Sequence, residues 1–118
     1  MDIRRNDIVF VKCNAMVPNG SVQCFDRPAI VLQNNKGNVS SPTLIVAYLT
    51  SQIKRTDLPT HVVLQHYPGL SKRSMVLLEQ VDTISKDDVT DVINHLDIED
   101  VVRVNNGLLI SLGFGEVA

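Results

Sequence analysis

Five apolar runs, none longer than six residues, divide the first 81 positions of the chain: Ile8–Val11, Ala29–Leu32, Leu44–Leu49, His61–Leu64 and Met75–Leu78. Val, Ile and Leu dominate them, and runs this short and this branched read as buried strands. The breaks between them, "VPNGS", "NNKGN", "SSP" and "YPGLS", are rich in Gly, Pro, Asn and Ser and read as turns. Five short strands joined by tight turns predict a small β-barrel. At 118 residues the chain is expected to be one domain, 1–118, long enough to bury a core without disulfide staples.

The pattern changes after residue 81. Ser85 precedes Lys86-Asp87-Asp88, a helix cap with acid in the first turn, and Val89, Val92, Ile93 and Leu96 follow at helical spacing. Asp97 is placed to cap a second helix, with Ile98, Val101, Val102, Leu108, Leu109 and Leu112 along one face. Gly107 weakens that helix by ~1 kcal/mol, and Gly113 is its natural stop. The expected architecture is mainly β with C-terminal helices.

The net charge of −2 conceals a division. Residues 1–81 hold nine Lys/Arg and five Asp/Glu, a net of +4, whereas residues 82–118 hold two and eight, a net of −6. The acidic excess is explained by helix caps and solvent faces. The first two thirds can present a basic face to a polyanion, or simply a solvated surface. Aromatic residues make up only 4% and Trp is absent, which argues against aromatic platforms for single-stranded bases.

MDIRRND at the N-terminus is followed by only four apolar residues, too few for the apolar region of a signal peptide. No stretch approaches the ~20 apolar residues of a membrane span. A cytoplasmic protein with no membrane partner is expected. Cys13 and Cys24 form no C-x-x-C and have no Cys/His pair beside them at ligand spacing, so no metal site is expected. In a reducing compartment the two are expected as free thiols, with a bond between them left open.

Walker, G-x-G-x-x-G, G-x-S-x-G and H-E-x-x-H motifs are absent, and His61, His66 and His95 are not clustered. What remains is a set of polar residues at strand ends. Gly20 and Ser21 lie in the loop after the first strand, Arg27 opens the second, and Thr50, Ser51 and Gln52 end the third, with Lys54 and Arg55 directly after. If a barrel gathers these edges, a guanidinium, several hydroxyls and two further cations suit a phosphate. The plainer alternative is that Thr50 and Ser51 merely end a strand and Arg27 pairs with Asp26.

Between these alternatives stands a resemblance. "RRNDIVFV", "GSVQCFDRPAIVLQNNKGN", "SPTLIVAYLTSQI", "LPTHVVL", "SMVLLEQVDTI" and "ISLGF" run over nearly the whole chain, and "RPAIVLQNN" and "LPTHV" are specific in order and spacing. The sequence resembles the MazF/PemK family of toxin endoribonucleases. That resemblance implies an SH3-like, partly open barrel of the CcdB/MazF/PemK type, working as a homodimer. It implies cleavage of single-stranded RNA without a metal or other cofactor, and inhibition by a small antitoxin protein. By position, Arg27 and Thr50 would carry the catalysis. Gly20, Ser21, Val22, Gln23 and Phe25, with Ser51, Gln52, Lys54 and Arg55, would hold the RNA.

The loop departs from the family pattern, usually Gly-Ser-Glu-Gln followed by small residues. Val22 replaces the glutamate, and Cys24, Phe25 and Asp26 occupy the small positions. Phe25 could stack on a base or pack the loop down. Two other readings follow: a family member that has lost catalysis and binds RNA or antitoxin, and a gyrase poison on the related CcdB fold. The retained Arg27 and Thr50 favour the enzyme.

Overall fold

A computed structural model describes residues 1–13 and 26–116. Six strands form one antiparallel sheet: β1 (Asp7–Val11), β2 (Arg27–Val31), β3 (Thr43–Thr50), β4 (His61–Val63), β5 (Met75–Ser85) and β6 (Val89–His95). Their spatial order is β4-β5-β3-β2-β1-β6. A short helix α1 (Asn35–Ser40) joins β2 to β3, and a longer helix α2 (Ile98–Ser111) follows β6.

The connection from β5 to β6 dictates the shape. In a flat sheet these two strands would lie four steps apart, ~19 Å at ~4.8 Å per step. A single 3₁₀ turn, Lys86–Asp88, joins them, and three linking residues reach at most ~14 Å. The sheet must therefore curl until β6 returns beside β1, where it pairs from Asp7↔His95 to Val11↔Val89. The result is the partly open barrel expected from the family resemblance, with β4 extending beyond it as an edge.

Side chains alternate across this curled sheet and bury two cores. On one face Ile8, Ile30, Ala47, Leu49, Val76 and Leu78 pack with Val104 of α2. On the other, Val9, Val11, Ala29, Val31, Leu44, Val46, Ile84 and Val89 fill the barrel, with Tyr48 packed at its margin. All five strands read from the apolar runs are present, although β5 continues to Ser85 through a polar, largely exposed stretch.

Four expectations are corrected, the last of them in α2. Residues 89–95 are strand β6, not a helix; Ser85 does cap the segment, but only for the single 3₁₀ turn. β6 carries two register shifts against β1, so Val9 and Val11 face Val92 and Val89, three residues apart rather than two. The bulges stretch a period of two toward a helical spacing, and the β-branched residues Val89, Thr90, Val92 and Ile93 favour the strand. "NNKGN", read as a turn, is helix α1, capped by the Asn34 side chain accepting from the Gly37 N–H. Cys13 is disulfide-bonded rather than a free thiol; Cys24 lies outside the described residues.

Helix α2 begins and ends where expected. The Asp97 carboxylate accepts from the Asp100 N–H at 3.0 Å. Gly113, at φ 76°, donates to Ile110 O while Phe114 N donates to Leu109 O, a Schellman stop. Its buried face differs from the expected one: Asp100, Val104 and Gly107 point inward with Val101 and Leu108 half-buried, while Ile98, Val102, Leu109 and Leu112 are exposed. Asp100 can be buried because it is fully partnered, accepting from Tyr67 Oη at 2.7 Å and Arg103 Nη1 at 2.8 Å. Tyr67 is itself desolvated there, and its phenol is held well above its ordinary pKa by burial and the neighbouring carboxylates.

Candidate RNA-binding groove

Arg27 is the first residue of β2, directly before Pro28, and the apolar residues after it are locked into both cores. β2 and β3 pair antiparallel through Ala29↔Tyr48, Ile30↔Ala47 and Val31↔Val46. Carried two residues further, the same register sets Arg27 opposite Thr50, the last residue of β3. Two positions 23 apart in sequence thus meet at one end of the barrel, each on a strand end rather than a free loop.

Beside them runs a groove of about 610 Å³ lined by Phe10, Asp26, Arg27, Pro28, Leu49, Thr50, Ser51, Leu70, Ser71, Lys72 and Ser74. Hydroxyls of Thr50, Ser51, Ser71 and Ser74 and the charges of Arg27 and Lys72 give it the character of a phosphate-binding surface. The Gln52 N–H donates to Thr50 Oγ1 at 3.1 Å. That bond occupies an acceptor site on the hydroxyl and leaves its own O–H to donate into the groove.

The plainer reading of Arg27 does not hold. Among the described residues Arg27 makes no ion pair; Asp26 instead accepts from Thr90 Oγ1 at 3.3 Å. Arg27 sits over the ring of Tyr48, its Cζ 4.2 Å from the centroid, and the Tyr48 hydroxyl donates to Asp82 Oδ2 at 3.2 Å. A second depression of about 360 Å³, lined among others by Lys12, Cys13, Tyr48, Thr83 and Ser85, shares Arg27 with the first.

The expected binding residues divide. Ser51 lines the groove, whereas Gln52, Lys54 and Arg55 do not. Arg55 is exposed, has φ 51° and holds its own guanidinium on Asp57 at 3.1 Å. The carbonyls of Lys54 and Arg55 turn instead toward His61 Nδ1, each at 3.1 Å, while His61 Nε2 meets Glu79 Oε1 at 2.7 Å. Burial works against a charged His61, but the hydrogen bonds it donates to Glu79 and to the two carbonyls outweigh it and its pKa is raised. Gly20, Ser21, Val22, Gln23 and Phe25 lie outside the described residues.

Lys72, Ser71 and Ser74 were not singled out from sequence. The pairing Thr50↔Met75 brings the segment before β5 alongside the end of β3, and that proximity is a property of long-range register. The only local sign was the Lys72-Arg73 pair after a turn; Arg73 lines a separate depression with His66 and Arg103. Among the described residues no three His, Cys, Asp or Glu stand together in a metal-binding group, and no helix is long and apolar enough to cross a membrane.

Comparison with known proteins gives the family and the fold. Residues 4–112 match the family described as PemK-like, MazF-like toxin of type II toxin-antitoxin system. The chain is 45% identical over 114 residues to endoribonuclease EndoA of Bacillus subtilis, covering 95% of this chain and 96% of that protein. It is 37% identical over 112 residues to endoribonuclease MazF of Staphylococcus saprophyticus, covering 94% and 92%. Among solved structures, a mycobacterial endoribonuclease in complex with its cognate antitoxin matches with a TM-score of 0.78, 19% identity and coverage of 98% and 99%. MazF of Deinococcus radiodurans matches at 0.76, 19% identity and coverage of 97% and 99%. At such identities the structural likeness speaks for the fold.

Proposed function

Because the chain belongs to the PemK-like, MazF-like toxin family of type II toxin–antitoxin systems, we propose that it is a single-domain endoribonuclease toxin. In this reading it cuts single-stranded mRNA in the cytoplasm and is inhibited by a small antitoxin protein. The observation that supports it most is the meeting of Arg27 and Thr50 at the end of paired strands, beside a hydroxyl-rich groove that also holds Lys72.

RNA brings its own nucleophile. The 2′-oxygen attacks the adjacent phosphorus, the bond from phosphorus to the 5′-oxygen breaks, and a 2′,3′-cyclic phosphate and a 5′-OH result. The proton leaving the 2′-OH is balanced by the one gained at the 5′-oxygen. The protein must hold the attacking oxygen in line and stabilise charge on the phosphorane oxygens. Arg27 suits the second task, with several fixed donors and a permanent charge; its high pKa makes it a poor base. Thr50 donates to a non-bridging oxygen or orients the 2′-OH, and Lys72, Ser51, Ser71 and Ser74 hold flanking phosphates. None of these steps calls on a metal ion.

The reading includes a homodimer. Ile98, Val102, Leu109 and Leu112 of α2 are 74%, 51%, 47% and 57% exposed, and their 4-7-3 spacing makes one stripe, with Asn105 continuing it. An apolar stripe of this kind on a small protein is a surface for a second copy. The test of function is direct: incubation of purified protein with a long single-stranded RNA in EDTA, followed by mapping of the ends. Cuts at a short recurring sequence with cyclic phosphate and 5′-OH ends are expected. Intact RNA that is nevertheless bound would favour the non-catalytic binder.

A further inference from the structure

We infer that Tyr48, anchored by Asp82, is a positioning residue that holds the Arg27 guanidinium in its working orientation; this rests on the endoribonuclease reading above. The observations lie on one face of the sheet. Arg27 on β2, Tyr48 on β3 and Asp82 on β5 form a line across three adjacent strands: guanidinium over ring at 4.2 Å, and phenol to carboxylate at 3.2 Å. The far end is fixed in turn, because Asp82 Oδ1 accepts from the Thr83 N–H at 2.8 Å.

Three other arginines show why a ring is the suitable partner. Arg55 spends two donors on Asp57. Arg103 spends Nη1 on Val63 O and Asp100, and Arg5 binds Leu32 O and Asn105. Each is held by the atoms a phosphate would need. Among the described residues Arg27 donates to none; it is held through the π-face of Tyr48, an attraction that consumes no carboxylate. Its in-plane N–H groups stay available for phosphate oxygens, and among the described residues no carboxylate forms an ion pair with it, although Asp26 and Asp88 line the depressions it shares. Asp82 holds the ring through its hydroxyl and forms no ion pair with Arg27. Desolvation and the Asp82 carboxylate raise the Tyr48 pKa, against the smaller opposing effect of Arg27, so the phenol stays a neutral donor to Asp82 at neutral pH.

Positioning should be felt mostly in turnover. A loosened Arg27 still attracts RNA as a point charge, but it meets the phosphorane oxygens less well. Tyr48→Leu is expected to lower kcat about tenfold, the scale of a cation–π contact at a partly desolvated site, with KM within about twofold. Tyr48→Phe keeps the ring and loses only the anchor, and should recover to within about threefold of wild type. An activity-independent measurement accompanies the kinetics: in wild type the Arg27 Nε–H and Cδ–H proton resonances should be shifted upfield by the ring, a shift kept in Tyr48→Phe and lost in Tyr48→Leu. The wild-type shift can be read even if Tyr48→Leu fails to fold, and its absence overturns the inference. So does normal kcat in Tyr48→Leu, or a Tyr48→Phe enzyme as slow as Tyr48→Leu, while cleavage by wild type leaves the endoribonuclease reading standing. A wild-type protein that cuts no RNA would sink both.

Discussion

Arg27→Ala removes the charge best placed to meet the phosphorane, and cleavage should fall by ~10² to 10³ or more while fold and dimer persist. Activity within tenfold of wild type would take Arg27 out of the mechanism. Arg27→Lys should rescue poorly, since a point charge cannot reproduce the guanidinium fork. Thr50→Ala should keep its affinity for RNA carrying a 2′-deoxy at the cut site and lose turnover, which separates alignment from binding when affinity and single-turnover rate are measured side by side. Local pattern marks both only as polar residues at strand ends, a Pro after Arg27 and a hydroxyl after the long third run, and leaves a plain strand end as the alternative; their proposed catalytic role comes from the family resemblance. Lys72 was not legible, because nothing near it in sequence says that Met75 pairs with Thr50. Tyr48 reads locally as one more residue of the third apolar run, because its contact with Arg27 is set by the pairing of β2 with β3.

Elements were legible where period and caps agreed, as at Asp97 and Gly113, and misread where bulges altered the period, as in β6. Gly107 is the instructive case in α2. From propensity alone it is a defect worth ~1 kcal/mol. In the fold, a Cβ there would lie 2.6 Å from Leu78 Cδ1 and 3.0 Å from Pro59 O, so the glycine sets how closely α2 approaches β5 and the segment before β4. Gly107→Ala should therefore destabilise the protein by about 1–2 kcal/mol despite its better propensity; a urea midpoint equal to or above wild type would contradict this. The segment between β3 and β4 has its own clasp in His61 and Glu79. The raised His61 pKa means that its contribution to stability is full below the ordinary histidine value of 6.5 and is lost as pH rises through the folded value. Glu79 is partly desolvated, which opposes ionisation, but its hydrogen bonds from backbone and His61 lower its pKa; its contribution is full above the ordinary 4.5 and is lost as pH falls through the folded value. The stability difference between wild type and His61→Gln should accordingly be largest between pH 4.5 and 6.5 and shrink above that window. Denaturant titrations of both proteins from pH 4 to 9 would show it, and a flat difference would mean that the clasp carries no load.

For the whole molecule, the exposed stripe on α2 predicts how copies associate. Leu109→Lys places a charge in its middle and should turn a dimer into a monomer by light scattering at micromolar concentration, with the barrel intact by circular dichroism. A dimer unchanged by this substitution would place the interface elsewhere. The stripe was hidden in the sequence because its residues were assigned to the buried face; Asp100 and Gly107, which are buried, do not look apolar. The pairing of β1 with β6 carries a different kind of consequence. Asp7 meets His95 across about three quarters of the chain, so the barrel closes only after the last strand exists. Loop closure over that separation is slow compared with local structure, and on a ribosome it must also wait until His95 has cleared the exit tunnel. The groove is lined by residues 10 to 74 and needs nothing from β6, so the last seam of the barrel closes behind a site whose strands already exist, and docking of β6 is a late step that sets the lifetime of the finished fold rather than the shape of the groove.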